Sequence, residues 1–253
     1  MSDYHAITFE FADFQRELSA IKAMSNGFLD GSSTLIFDEL KGVIANLQTQ
    51  QSDRDISWQV REATPLRTIV TNEYEPGKKG GAHKVIGEIT WCWNIRVIPI
   101  KKGRPRKFEI CGNASIKLRV RTNVAPVQEL ALWRVECGAL DSPGCYFHTQ
   151  VGGESEVPPF PSSLSVPRFP TLFVTPMSAI EFILGELFQE RWHKHVVGNQ
   201  NHQGDWNNIQ KNRLEKICNW NLNQIRNCQG SPWIGLKRAK PSTSDAMFVE
   251  SKE

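Results

Sequence analysis

The chain has 253 residues, of which 40% are hydrophobic and 23% charged, with a formal net charge of +3. At about 100–200 residues per domain this is one large domain or two small ones, and the apolar content excludes disorder over most of it. A chain of this length buries roughly three quarters of its unfolded surface, so no disulfide or zinc staple is required.

The opening MSDYHAITFEFADF carries Asp3, Glu10 and Asp13 and lacks a long apolar core, which predicts no secretory leader. No apolar run approaches the ~18 residues that would span a bilayer, so no membrane partner is expected. Six cysteines (Cys92, Cys111, Cys137, Cys145, Cys218 and Cys228) are scattered without a C-x2-C pair. That pattern predicts reduced thiols in the cytoplasm, no zinc site or other metal, and no cofactor.

Two amphipathic helices are predicted first. Phe11, Phe14, Leu18 and Ile21 recur at helical spacing, and Leu35, Ile36, Leu40, Val43, Ile44 and Leu47 do so again, with Ser32 or Ser33 as N-cap. A strand over 56–62 starts a sheet. From Val85 to Val97 the period changes to two: Gly87, Ile89, Trp91, Trp93 and Ile95 alternate with polar positions, which predicts a strand with one buried face. A Gly/Pro connection, 101–106, leads to a strand opening at Lys107, in which Ile116, Leu118 and Val120 alternate with Lys117, Arg119 and Arg121. Strands over 129–137 and 144–151 follow, joined by a Gly/Pro turn. A Pro/Ser-rich loop over 158–170 precedes Thr175-Pro176, an N-cap and first helical residue. Ile180, Ile183, Leu184, Leu187, Phe188 and Trp192 form the stripe of that helix. A last helix from Asp205 carries Ile209, Leu214, Ile217, Cys218, Leu222 and Ile225, and Trp206, Trp220 and Trp233 are placed to dock it or a partner.

The prediction is an α+β fold: an antiparallel sheet of about five strands in the middle of the chain, with two N-terminal and two C-terminal helices packed on one face. Residues 1–236 form a single domain and 237–253 a disordered tail.

Charge is asymmetric. Residues 78–121 hold twelve cations and two acids, an excess of ten, so the rest of the chain is net negative. Lys117, Arg119 and Arg121 share one strand face, and Arg96 lies on the polar face of the preceding strand. Together with Lys101, Lys102, Arg104, Arg106 and Lys107 at the hairpin tip they predict a cationic strip suited to the backbone of DNA or RNA. A second constellation sits on the later hairpin. If its strands pair, Arg134, Glu136, His148 and Gln150 share a face. His148 is then a candidate general acid or base, Glu136 its orienter, and Arg134 or Arg168 an oxyanion stabiliser.

Lys-Gly-Arg-Pro-Arg-Lys (102–107) resembles the core of an AT-hook, with Lys102 in place of that motif's Arg; the resemblance implies minor-groove insertion. A longer run is similar to an uncharacterised bacterial domain family with a W-R-acid strand, an H-x-H strand, an R-x-P loop and a T-P helix start. The run comprises Trp133-Arg134-Val135-Glu136, His148-Thr149-Gln150, Arg168-Phe169-Pro170 and Thr175-Pro176, and Gln150 stands where the family has its second His. The resemblance covers about fifty residues and implies a bacterial origin and a shared hairpin, loop and helix.

The expected function is therefore a cytoplasmic nucleic-acid-binding or accessory protein with a partner from the same operon. The alternatives are a metal-independent nuclease or small hydrolase using His148 with Glu136, and a non-enzymatic subunit of a larger assembly that contacts acidic protein.

Overall fold

A computed structural model describes residues 7–49, 55–71, 84–99, 105–138, 144–152, 168–172, 175–198 and 200–241. Its elements are β1 (Thr8–Glu10), α1 (Phe11–Met24), α2 (Gly31–Thr49), β2 (Ile56–Val60), β3 (Leu66–Arg67), β4 (Val85–Val97), β5 (Lys107–Thr122), β6 (Glu129–Cys137), β7 (Phe147–Val151), β8 (Phe169–Pro170), α3 (Pro176–Gly198), α4 (Gln200–Asn227) and α5 (Pro232–Arg238). The fold is α+β, as expected. The described residues hold eight strands and five helices, against about five and four expected. The additions are β1, β3, β8 and α5, all seven residues or shorter, too short to develop a period.

The sheet is antiparallel throughout, in the order β2-β4-β5-β6-β7-β8, with β1 added to β5 and β3 to β4. Strand alternation sends Trp91, Trp93, Ile95, Ile110, Ala114, Ile116, Leu118 and Val120 to one face, where all are buried. Phe14 of α1 packs there, 5.1 Å from the Trp58 ring and 5.0 Å from Phe108. Close approach of α3 to the sheet requires Gly87: a Cβ there would lie 2.8 Å from Leu187 Cδ1 and 3.1 Å from Ile183 Cγ1. Opposite Asn94 the ladder bulges, and Gly112 takes the left-handed backbone (φ 106°) that the bulge demands.

The helix stripes of α1 and α3 are buried as predicted. In α2 the buried set is Phe37, Leu40, Ile44 and Leu47, while Leu35 and Val43 are exposed. Its cap is Asp30, one position before the first helical residue, not Ser32 or Ser33. Asp30 Oδ1 accepts hydrogen bonds from the Ser33 N–H and from both serine hydroxyls. Thr175 caps α3 as expected, its Oγ1 accepting the Ser178 N–H at 3.2 Å. Beyond a break at Gln189 (φ 40°), α3 closes over the α1–α2 turn: Trp192 and His195 meet the Phe28 ring, and His195 Nε2 lies 2.9 Å from Met24 O.

Two expectations about the C-terminal part need correction. Of the apolar residues assigned to the last helix only Ile217 is buried. Leu214, Cys218, Leu222 and Ile225 face solvent, and the buried stripe is Trp206, Arg213, Ile217 and Trp220. The boundary of the expected tail also moves. Lys237 and Arg238 belong to α5, Ala239 and Pro241 are buried, and Lys240 Nζ donates to Gly144 O at 2.8 Å. Residues 242–253 lie outside the described set.

A buried carboxylate joins the helices. Glu17 of α1 is wholly buried; its Oε1 accepts from Thr175 Oγ1 (2.8 Å) and from Gln210 Nε2 (2.7 Å) and is ion-paired with the Arg213 guanidinium. Arg213 in turn lies over the Phe9 ring at 5.2 Å. Removing one member of a buried ion pair leaves the other desolvated and uncompensated. Glu17→Ala is therefore expected to cost about 3–5 kcal/mol in urea unfolding, and the double replacement E17M/R213M less than that. A single-variant loss under 1 kcal/mol would show that the pair does not anchor the helices.

Candidate functional site

The sheet face opposite the aromatic core carries the chemistry-bearing side chains. Parity places Lys117, Arg119 and Arg121 together on β5, as the sequence predicts, and register puts Arg119 opposite Glu88 and Lys117 opposite Arg134. Among the described residues the expected free cationic strip does not form. Glu88 lies between two guanidiniums, 3.0 Å from Arg67 Nε and 3.1 Å from Arg121 Nε. Glu62 meets Lys117 Nζ at 2.6 Å and Arg119 Nη1 at 3.2 Å, and Glu129 meets Arg119 Nε at 3.2 Å. Arg134 Nη2 reaches Glu136 Oε1 at 2.5 Å. In this described wall five cations meet four carboxylates.

Arg96 joins neither this network nor a strip. It pairs with Asp55 at 2.6 Å, and its hydrogen bond outweighs desolvation to hold the Asp55 carboxyl below its ordinary value. Lys107 Nζ lies 3.6 Å from Glu10. Arg106 is half-buried at the start of β5, and its carbonyl accepts the Phe11 N–H. Lys101, Lys102 and Arg104 lie outside the described residues, and with them half of the AT-hook-like run.

Three of the four acids that neutralise the wall, all but Glu88, escaped the charge count for a physical reason. Glu62, Glu129 and Glu136 lie outside the 78–121 window and arrive from neighbouring segments. Glu129 is registered opposite Arg121, a pairing visible only once the 123–128 turn length is known. Leu132, on the same face and opposite Arg119, is nonetheless buried, as expected where long basic side chains lay their aliphatic stems over an apolar neighbour.

The strands of the later hairpin pair, so the four residues do share a face, and the register sets Arg134 opposite Gln150 and Glu136 opposite His148. His148 is 1% exposed. Its Nδ1 lies 2.9 Å from Cys145 O and its Nε2 3.3 Å from Glu136 Oε2. The ring thus sits between a backbone carbonyl and a carboxylate, with no open face toward solvent. Burial alone would raise the Glu136 carboxyl; the hydrogen bonds from His148 and Arg134 outweigh it and leave the group below its ordinary value. Arg168 is exposed, two residues before Pro170, which is registered opposite His148.

Other reactive groups are muted. Burial pushes the Cys111 thiol up to about 11 and raises Cys137 well above its ordinary value. All six cysteines are free. Among the described residues no three His, Cys, Asp or Glu side chains converge as a metal site, and no helix is long and apolar enough to cross a membrane. A cavity of about 360 Å³ lies between α1 and α2, lined by Lys22, Ser25, Asn26, Thr34, Phe37 and Lys41 among others; none of the predicted site residues lines it.

Compared with protein-family models, curated proteins and solved structures, the chain matches none.

The depressed Glu136 carboxyl makes a prediction with a defined sign. A group whose folded-state value lies below its unfolded one contributes stability above the ordinary carboxylate range, and that contribution is lost as pH falls through the folded value. Between pH 6 and pH 3 the wild type is therefore expected to lose more unfolding free energy than Glu136→Gln. Parallel acid-limb profiles for the two proteins would contradict the Arg134–Glu136–His148 linkage.

Proposed function

We propose that this protein is a non-enzymatic subunit of a larger assembly, with the salt-bridged sheet as its rigid platform and the C-terminal helices as its contact element. The observation that carries the reading is where the molecule spends its polar and apolar groups. Among the described residues the side chains that could do chemistry are engaged internally: His148 lies between the Cys145 carbonyl and Glu136, Glu136 meets Arg134 and His148, and the wall cations hold carboxylates. A phosphate backbone would have to displace those carboxylates one by one, with little net charge to drive the exchange. General acid–base chemistry would need His148 to reach a substrate from a position 1% exposed. By contrast α5 holds Trp233 at 75% and Ile234 at 51% exposure, beside a solvent-facing apolar row on α4. Tryptophan is the side chain most enriched at the energetic centres of protein interfaces.

Fluorescence titration with labelled single- and double-stranded oligonucleotides between 50 and 200 mM salt tests the reading. Weak binding, little changed by Arg121→Glu, is expected. Tight binding that falls steeply with salt and is lost in Arg121→Glu would overturn the subunit reading and restore nucleic acid as the ligand.

A further inference from the structure

The α4 helix carries two apolar stripes. One, Trp206, Ile217 and Trp220 with Arg213, is buried against the rest of the fold. The second comprises Leu214, Cys218, Leu222 and Ile225, with Leu214 44%, Leu222 39% and Ile225 37% exposed. At 3.6 residues per turn the second stripe lies roughly a third of the circumference from the first. A helix needs one apolar face to dock on its own domain; a second, spaced 4-4-3, is the pattern of a helix that also docks on another.

We infer that a second copy of this chain covers this stripe, through an antiparallel two-fold pairing of α4 with α4. The inference rests on the subunit reading above and names its first partner. The argument is self-complementarity. A two-fold axis crossing α4 between residues 219 and 220 sets Leu214 of one copy opposite Ile225 of the other, twice, and brings Cys218 and Leu222 of both copies to the centre. An interface of this symmetry must present the same patch to itself, and this row does. Charge agrees with the geometry. Glu215 and Arg226 project to the same flank of the stripe, and the two-fold brings Glu215 of one copy within about two residues of Arg226 of the other, again twice. Lys216 projects to the opposite side of the helix, away from the contact. Lys211, at the end of the row, is 4.0 Å from Glu215 within its own copy.

Light scattering after size exclusion, on the full chain at about 50 µM, is the test. A mass twice the 28.7 kDa of the chain is expected. Leu222→Glu and Ile225→Lys, both at exposed positions, are each expected to give a monomer with unchanged circular dichroism. Glu215→Arg should raise the dimer dissociation constant roughly tenfold, and E215R/R226E should restore it, since both copies of an exposed ion pair are reversed together. A short bismaleimide linker should give a covalent dimer from the wild type and none from Cys218→Ser, which retains exposed Cys92. A wild-type monomer at 50 µM, a dimer that survives both stripe substitutions, or cross-linking that persists in Cys218→Ser would each overturn the pairing. None of these results bears on oligonucleotide binding, so failure here and failure of the subunit reading remain distinct.

Discussion

Glu17 has no access to water, and the helical layer is organised around that fact. A carboxylate buried in α1 is tolerable only if cations and donors come to it. They come from far along the chain: Thr175 at the start of α3, and Gln210 and Arg213 on α4. Satisfying one group thus fixes the relative placement of three helices. Hydrophobic burial is nondirectional and would allow α4 to rotate or slide on α1, whereas a shared carboxylate oxygen sets one angular position. With Arg213 turned inward, Trp206, Ile217 and Trp220 follow it into the core, and the Leu214–Ile225 row is left outside.

The sheet obeys a similar economy of position. Its aromatic face accepts α1 and α3; its other face gathers cations at every second residue of β5. Like charges side by side on a half-buried surface repel unless acids intervene. Glu62, Glu88, Glu129 and Glu136 do so from three different segments, the last two both on β6. The wall is better read as cross-linking between β2–β3, β4, β5 and β6 than as a reservoir of free positive charge. The same logic covers His148, whose two ring nitrogens join the Cys145 backbone to Glu136 across the β6–β7 hairpin.

Much of this was legible in one dimension. Alternation over β4 and β5 gave both strands and the correct inward face, because parity is a local property of an extended chain. For the β6–β7 hairpin parity gave the shared face of Arg134, Glu136, His148 and Gln150, but not the register that sets Glu136 opposite His148. Two further things were not legible. Ion pairing was not, because the sum of charges in a window says nothing about acids that arrive from outside it. The buried face of α4 was not, because Leu214, Cys218, Leu222 and Ile225 have the more apolar composition, and only the distant Glu17 decides that a row containing an arginine turns inward.

That inversion also explains why the exposed row is informative. Scattered exposed leucines are ordinary on soluble proteins and carry no message. A row at helical spacing is different, since each of its residues had the alternative of facing the core and was displaced from it by an arginine bonded to a buried acid. Burying a charge in place of a leucine is unfavourable unless the charge is paired, and Glu17 supplies that pairing for Arg213. The two-fold pairing inferred for the Leu214–Ile225 row would offset the solvent exposure of its four apolar side chains and reinforce the orientation of α4 that Glu17 selects. The intramolecular ion pair and the intermolecular stripe then act on one rotational degree of freedom from opposite sides, and α4 has a single orientation in which both are satisfied.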